Sequence, residues 1–255
     1  MNKFNSNLLK STFVIALSGA SIGFNAETLL AASVELGLVV DGSGSVSGGD
    51  FAFQRDAYVN IFTNDFAGNF LTGDVDTVFV SFWQFSSGLD LEVDWTAITN
   101  NAEAIAFANL IAPVTQNGGG TNTGGAISGV AASILSNAFD GDSEVIDIST
   151  DGSPNSQTAA ESAASAAFLD NGIVTNTLFV GTSTSGAASN AAIATAGGGT
   201  AFTANSFAEY EVALVEKLEA EIIDPDPSPP VPEPGTILGL LAVGGLGLGL
   251  KRKKQ

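Results

Sequence analysis

The sequence contains no cysteine and no histidine, and these two absences exclude several kinds of functional site. Without cysteine the chain has no disulfide, no zinc-thiolate centre and no thiol nucleophile. Without histidine it lacks the commonest general base and the commonest nitrogen ligand of metals. Any bound metal must therefore be held by oxygen atoms, which favours Mg²⁺, Mn²⁺ or Ca²⁺.

Basic residues are scarce as well, with 8 Lys and Arg against 27 Asp and Glu, and most of them lie near the two ends. Between residues 34 and 230 only Arg55 and Lys217 are basic, and these two against 25 acidic residues give a net charge of −23. Such a surface repels nucleic acid and anionic lipid headgroups, so neither is an expected partner. The charge suits a soluble domain outside the cell, although solubility alone also explains it.

The N-terminal segment has the pattern of a secretory signal peptide. Lys3 and Lys10 precede the apolar, small-residue run STFVIALSGASIGF, as in signals for export. We expect the signal to cover residues 1–32, with its end between residues 20 and 33. A buried first helix is the weaker interpretation, because the segment has no charged positions to form a polar face.

The C-terminal segment has three parts: a Pro-rich linker at 224–230, then VPEP followed by an apolar run, and the basic end KRKKQ. A helix of roughly 15 residues rises only about 22 Å, which is short of the roughly 30 Å hydrocarbon core of a bilayer. The apolar run therefore predicts transient association with the membrane, with the basic end in the cytoplasm.

Residues 231–255 resemble the PEP-CTERM sorting signal of bacteria that make extracellular polysaccharide. The resemblance rests on Pro-Glu-Pro at 232–234, the apolar run and the basic tail, in that order. It implies that a membrane protease of the exosortase type removes the tail and passes the protein to the cell surface or extracellular matrix. A plain tail anchor is the alternative.

Between these ends, short apolar runs bounded by turn residues alternate with longer segments of helical period. The predicted strands are 34–40, 77–85, 91–95, 144–150, 175–180 and 201–204. The predicted helices are 50–66, 101–112, 126–139, 156–171, 187–196 and 207–222. The alternation predicts one α/β domain over residues 33–223, with a doubly wound, mostly parallel sheet; a hairpin over 77–95 adds one antiparallel edge strand.

In such a sheet, ligands bind beyond the carboxyl ends of the strands, where the strand order reverses. This rule selects three loops: DGSGS after the first strand, NGGGTNTGG at 117–125 and STDGSPN at 149–155. The oxygen-bearing residues that they supply are Asp41, Ser43, Ser45, Thr121 and Asp151. Together these side chains would form an oxygen cage of low charge, suited to a hard divalent cation that keeps a position for an outside ligand. Plain surface turns are the simpler alternative.

These residues resemble the von Willebrand factor A (vWA) domain with its metal-ion-dependent adhesion site (MIDAS). Asp41, Ser43 and Ser45 meet the family pattern D-x-S-x-S, Thr121 is the threonine of the second loop, and Asp151 is the aspartate of the third. The resemblance implies a Rossmann-like fold in which the hydroxyls contact the metal directly and the aspartates often act through water. The implied cofactor is Mg²⁺ or Mn²⁺, with Ca²⁺ as a further option.

The combined features predict an exported surface or matrix protein, not an enzyme, that uses a divalent metal to bind an acidic group on a protein or polysaccharide. Two alternatives stay open. A bound Mg²⁺ can activate water, which would make the chain a metal-assisted hydrolase. In a structural matrix protein, the metal would only stabilise the loops.

Asp147 lies in the middle of a predicted strand, on the same side as Ser149 and Asp151 by alternation. A carboxylate in a covered sheet needs partners. We expect it either to support the metal loops or to satisfy a nearby backbone turn.

Overall fold

The computed structural model describes residues 32–72 and 74–223. The predicted signal peptide, the linker and the sorting segment lie outside this range, apart from the last residue of the predicted signal. Among the described residues, no helix combines the length and apolarity needed to cross a bilayer. The strands are β1 (Ala32–Asp41), β2 (Val75–Phe85), β3 (Leu89–Ile98), β4 (Ser143–Thr150), β5 (Val174–Val180) and β6 (Gly198–Ala204). The helices are α1 (Gly48–Thr63), α2 (Phe66–Phe70), α3 (Asn101–Ile111), α4 (Thr123–Ile134), α5 (Gln157–Asn171), α6 (Thr184–Ala196) and α7 (Tyr210–Ile222).

The six strands form one sheet in the order β3-β2-β1-β4-β5-β6. Strand β1 pairs in parallel with both β2 and β4, and β5 and β6 continue the parallel arrangement. Only β3 is antiparallel, paired with β2 at one edge. This confirms the predicted doubly wound sheet with one antiparallel edge strand. The order reverses between β1 and β4, so the loops that follow these two strands flank the switch point.

The core lies on both faces of the sheet, which is why β1 is a nearly continuous apolar run. On one face, Leu36 and Leu38 of β1 belong to a cluster with the aromatic side chains of α1, α2 and α3 and with α7. On the other face, Val39 belongs to a cluster of small and branched side chains from α4, α5 and α6. Each fully buried Leu or Phe contributes about 1.5–3 kcal/mol of transfer free energy, so this two-sided burial holds β1 at the centre.

The predicted helices differ from the observed ones in their bounds, and two of the differences have a clear local cause. The segment 50–66 extends over two helices, because Asp65 adopts a left-handed conformation (φ 58°) between α1 and α2. Helix α4 spans Thr123–Ile134 and not 126–139, because the Asn122 side chain accepts a hydrogen bond from Gly125 N and caps the helix early. The Gly-rich loop is therefore shorter than the sequence suggested, and Thr121 lies two residues before α4.

Gly124 allows α4 to approach α5 closely. A Cβ atom at this position would lie 2.9 Å from the backbone carbon of Ala159. Neither backbone can easily move away, since both belong to packed helices. The glycine thus sets the separation of the two helices behind the Thr121 loop.

We expect Gly124→Ala to lower the free energy of unfolding by about 1–3 kcal/mol, the usual cost of overpacking a close contact. Urea denaturation measures this loss. Gly88→Ala is the matched control, because a Cβ there meets nothing within 4 Å. Equal stability of the two variants would show that α4 and α5 are not in backbone contact.

Candidate functional site

The three selected loops meet at the carboxyl edge of the sheet and are joined by backbone hydrogen bonds. Gly44 N donates to Gly119 O (2.9 Å) and Gly118 N donates to Gly42 O (2.9 Å), which joins the first loop to the Gly-rich loop. Asn155 N donates to the carbonyl oxygen of Thr121 (2.8 Å), which joins the Gly-rich loop to the loop after β4. The structure therefore brings the predicted loops into one connected group.

Asp41 is completely buried at the end of β1, and both of its carboxylate oxygens accept hydrogen bonds from other groups of the protein. Ser43 N donates to Oδ1 (2.7 Å), and the Thr150 hydroxyl donates to Oδ2 (2.5 Å). Burial raises the pKa of the Asp41 carboxyl, although these hydrogen bonds act in the opposite direction. The side chain thus fixes the first loop against the end of β4.

The other members of the D-x-S-x-S pattern continue this arrangement towards the surface. Ser43 is buried, and its hydroxyl lies 3.0 Å from that of Ser45. The exposed Ser45 donates to Oδ1 of Asp151 (2.8 Å), which is half-buried. Hydrogen bonds therefore connect four of the five predicted residues in one row from the interior to the surface, with Asp41 joined through the backbone N–H of Ser43.

Thr121, the fifth predicted residue, is attached to the row through its backbone. Its N–H donates to Oδ1 of Asn155 (3.1 Å), and its carbonyl accepts from the N–H of the same residue. Asn155 follows Asp151 in the third loop, so Thr121 lies beside the row. Within residues 32–72 and 74–223, the Thr121 hydroxyl makes no hydrogen bond to the other four side chains.

Sequence reasoning missed several residues that hold these loops. Gln116 donates from Nε2 to the carbonyl oxygens of Ser43 (2.9 Å) and Val46 (2.7 Å). Gln84, at the end of β2, accepts from Asn117 N (2.7 Å). Thr150, described above, belongs to the same support. The only sequence signal was a glutamine inside the apolar run WQF, since a buried amide needs nearby partners.

Asp147 does not follow either expectation. Its carboxylate forms an ion pair with Lys217 of α7, and both side chains are fully buried. The Tyr58 hydroxyl donates to Asp147 Oδ1 (3.3 Å) and also lies 3.4 Å from the Ser149 hydroxyl. Lys217 Nζ is in addition 3.4 Å from Glu221 Oε1. The carboxylate thus holds helix α7 to the sheet, a role that strand alternation could not reveal.

This buried cluster contains two carboxyl groups but one ammonium group. Burial raises the pKa of Glu221 well above its usual value, and the charge of Asp147 raises it further, while Lys217 opposes the shift. An unpaired charge in the interior costs several kcal/mol. A protonated Glu221 beside the Asp147–Lys217 pair gives the cluster no net charge, which fits its burial.

The chemistry of the loop residues fits a hard divalent cation. They supply three hydroxyls and two carboxylates, which are oxygen donors of the kind that Mg²⁺ and Mn²⁺ prefer. Among the described residues, no group of three or more His, Cys, Asp or Glu side chains could hold a metal ion. Any metal at the loops would therefore depend on the serine and threonine hydroxyls.

Comparison with protein families matches two parts of the chain. A family described as "Protein of unknown function (DUF1194)" matches residues 31–226, and the PEP-CTERM protein-sorting motif matches residues 230–253. The second match confirms the predicted sorting signal, which indicates export and membrane-associated sorting in bacteria. A search of curated proteins gives no match.

Solved structures show the same fold at low sequence identity. Proximal thread matrix protein 1 from the mussel byssus, with a zinc-occupied MIDAS motif, is 18% identical with a TM-score of 0.56, covering 74% of this chain and 45% of that chain. A von Willebrand factor type A protein from Catenulispora acidiphila is 15% identical with a TM-score of 0.56, covering 75% and 43%. The open conformation of the pilus adhesin SpaC from Lactobacillus rhamnosus GG is 18% identical with a TM-score of 0.56, covering 76% and 30%.

These likenesses confirm the predicted vWA fold. The chain spans less than half the length of each of the three proteins. At such identities the shared feature is the fold, and the chemistry of the loops depends on the residues of this chain.

The raised pKa of Glu221 predicts a pH-dependent stability. A carboxyl group with a raised pKa in the folded state stabilises the protein fully below its unfolded pKa, near 4.5, and this contribution is lost as pH rises towards the folded pKa. We therefore expect Glu221→Gln to unfold at higher urea than the wild type at pH 7, by on the order of 1 kcal/mol or more, with little difference near the unfolded pKa.

The matched control is Glu219→Gln, because Glu219 lies on the same helix but is exposed. Its difference from the wild type should stay small, since the side chain is exposed. A Glu221→Gln variant that is less stable than the wild type at neutral pH would mean that Glu221 is ionised in the interior.

Proposed function

This chain belongs to the DUF1194 family, and we propose that it is an exported bacterial binding protein that holds a divalent metal at the three loops. Through this metal it binds an acidic group on a protein or polysaccharide at the cell surface or in the extracellular matrix. The observation that carries the proposal is the hydrogen-bonded row Asp41–Ser43–Ser45–Asp151 at the switch point of a vWA fold.

The residues divide into metal ligands and supports. Ser43, Ser45 and Thr121 supply hydroxyl ligands, and Mg²⁺ or Mn²⁺ suits them best, with Ca²⁺ also accepted. Asp41 acts as a support, because Ser43 N and Thr150 already engage both of its oxygens. Asp151 orients the Ser45 hydroxyl and contributes charge. A cation held mainly by neutral ligands keeps the charge needed to attract a carboxylate of the partner.

The comparisons support this proposal without extending to the partner. The mussel protein is a thread matrix protein with a metal-occupied MIDAS, and SpaC is an adhesin. The PEP-CTERM motif supports export and processing by an exosortase-type protease, with transient membrane association before release.

We divide the chain into a signal at 1–32, the vWA domain at 33–223, a linker at 224–230 and the sorting segment at 231–255.

Binding explains the site better than catalysis does. Within the three loops themselves, the carboxylates available as general bases are Asp41 and Asp151, and both accept hydrogen bonds that fix them in place. A metal-assisted hydrolase would need one of them to accept a proton from water. A structural role, in which the metal only stabilises the loops, differs from the proposal in leaving no position for a partner.

We expect Mg²⁺ and Mn²⁺ to bind the purified chain at one saturable site that is lost in Ser43→Ala/Thr121→Ala. Isothermal titration calorimetry measures this binding. The double variant keeps the net charge. Nonspecific binding of cations to the acidic surface is therefore unchanged and can be subtracted. Ser162→Ala/Thr203→Ala, which removes two exposed hydroxyls elsewhere, is the matched control and should keep the site. Identical weak binding in all three proteins would contradict the metal site.

Asp41→Ala should also abolish the saturable metal binding, because the first loop loses its attachment to Thr150. The measurement is the same titration, with circular dichroism to establish that the fold is kept. Unchanged metal affinity in a folded Asp41→Ala variant would remove this residue from the site.

The partner is expected to leave the immobilised protein when EDTA is added and to return with Mg²⁺. A carboxylate-rich polysaccharide such as alginate is the first probe, with a neutral dextran as the control, and surface plasmon resonance as the measurement. Saturable metal binding combined with EDTA-insensitive retention of alginate would favour the structural alternative. Turnover of an ester or phosphate substrate would favour the hydrolase.

A further inference from the structure

Helix α7 places a buried amine beside two buried carboxyl groups. Lys217 Nζ contacts Asp147 of β4 and lies 3.4 Å from Oε1 of Glu221, which is one turn further along the same helix. All three side chains are fully buried. Among the described residues, neither Lys217 Nζ nor Asp147 Oδ2 has a further hydrogen-bonding partner. The polar contacts of the amine in this part of the chain are therefore the two carboxyl groups.

Aromatic side chains separate this cluster from water. The Tyr58 hydroxyl donates to Asp147 Oδ1 (3.3 Å), and the Tyr58 ring packs edge-on against Phe82 and Tyr210, with ring centroids 5.4 and 6.4 Å away. These rings are fully buried. An ion pair in such surroundings is costly, because the attraction of the two charges must repay their lost hydration. Transfer of one proton from Lys217 to Asp147 removes both charges and leaves a neutral amine beside a neutral carboxyl group.

We propose that Lys217 and Asp147 condense to an intramolecular amide bond, and that Glu221 transfers the protons. The neutral amine attacks the carboxyl carbon of Asp147, which forms the C–N bond. Glu221 takes one proton from the nitrogen and gives one to the departing hydroxyl, so that the C–O bond breaks and one water molecule leaves. Glu221 ends in its starting form, and the reaction needs no oxidant, reductant or cofactor.

The neighbouring groups suit these roles. Glu221 lies beside Asp147, so one carboxyl group reaches both the amine and the carboxyl group that it attacks. A protonated Glu221, which the charge balance of the cluster favours, has the proton that the departing hydroxyl requires. The Tyr58 hydroxyl lies where negative charge develops on Oδ1, and a donor fixed in that position stabilises the charge.

Position explains why a reaction that is unfavourable between free molecules in water can proceed here. The contact with Oδ1 brings Lys217 Nζ close to the separation of about 3–3.5 Å from which correctly oriented atoms react. Groups held in this way behave as if their concentration were about 10⁵–10⁸ M. The product amide carries no charge, so condensation also removes the cost of the buried ion pair.

The bond would join α7 to β4 in a chain that has no cysteine for a disulfide. It closes a loop of the chain between residues 147 and 217 and restricts the unfolded state, as a disulfide does. Unlike a disulfide, an amide does not respond to the redox state of its surroundings. The bond does not involve the three loops, so its formation is independent of whether they hold a metal.

Trypsin digestion tests the bond directly, because Lys217 is the only Lys or Arg between residues 56 and 250. Trypsin cleaves after free lysine and not after an acylated one. We expect the denatured full chain, made in a host without an exosortase, to give one fragment, 56–251. Its mass should be lower than the sequence requires by one water molecule. A chain without the bond gives the fragments 56–217 and 218–251 at their full masses.

Three variants assign the roles. Glu221→Gln keeps the size of the side chain but cannot transfer the protons in this way, so it should give the two separate fragments. Lys217→Arg keeps the positive charge and lacks the amine, so it should lose the bond as well. Glu219→Gln, an exposed position on the same helix, is the matched control and should give the linked fragment. Circular dichroism establishes that each variant is folded.

Several results would overturn the proposal. Two full-mass fragments from folded wild-type protein would show that Asp147 and Lys217 remain an ion pair. Full linkage in Glu221→Gln would show that Glu221 does not transfer the protons. Fragmentation of the linked product in the mass spectrometer locates the bond, and a bond from Lys217 to Glu221 would contradict the assignment of Asp147.

The bond also affects the stability comparison at pH 7. The gain in stability expected for Glu221→Gln refers to wild-type protein whose digest still gives two fragments, such as freshly refolded chain. Once the bond has formed, the wild type should resist higher urea concentrations than Glu221→Gln, because the closed loop restricts its unfolded state. The digest therefore precedes each urea measurement.

Discussion

The carboxylate of Asp41 is the attachment on which the candidate site depends. It lies at the end of the central strand and accepts hydrogen bonds from Ser43 N and from the Thr150 hydroxyl, and so joins the ends of β1 and β4. Because the strand order reverses between these two strands, the crevice at the switch point is also the place where the loops meet. A buried carboxylate is costly unless its oxygens are satisfied. The same hydrogen bonds that meet this need also place Ser43 and Ser45 beside Asp151.

Much of the fold could be predicted from the sequence, because burial leaves a periodic signal. The apolar run of β1 and the hairpin of β2 and β3 correspond to the predicted strands. Local capping changed the helix bounds, since the Asn122 side chain starts α4 earlier than the apolar period suggests. The left-handed Asp65 divides a continuous pattern into α1 and α2. Such effects depend on the conformation or capping of a single residue and leave no trace in hydrophobic periodicity.

The site was predictable where the residues alternate in one loop, and much less so where partners come from distant segments. Asp41, Ser43 and Ser45 are close in sequence, so their approach follows from local geometry. The ion pair of Asp147 with Lys217 joins residues of β4 and α7 that are 70 positions apart in the sequence. Lysine is seldom fully buried, so neither its burial nor its partner can be inferred from composition. Long-range polar pairs of this kind require the tertiary structure.

The course of helix α7 determines how this protein would carry mechanical load. The helix follows β6 and runs back along the sheet: Tyr210 packs against Tyr58, which lies beside Ser149, and Glu221 lies beside Asn176 near the start of β5. The chain therefore leaves the fold at the end opposite to the three loops. A pull between a bound partner and the C-terminal segment would act along the strands, so that neighbouring strands are sheared and not peeled apart. The force would reach the sheet through α7, whose anchors are the buried Leu214, Leu218 and the Lys217 ion pair.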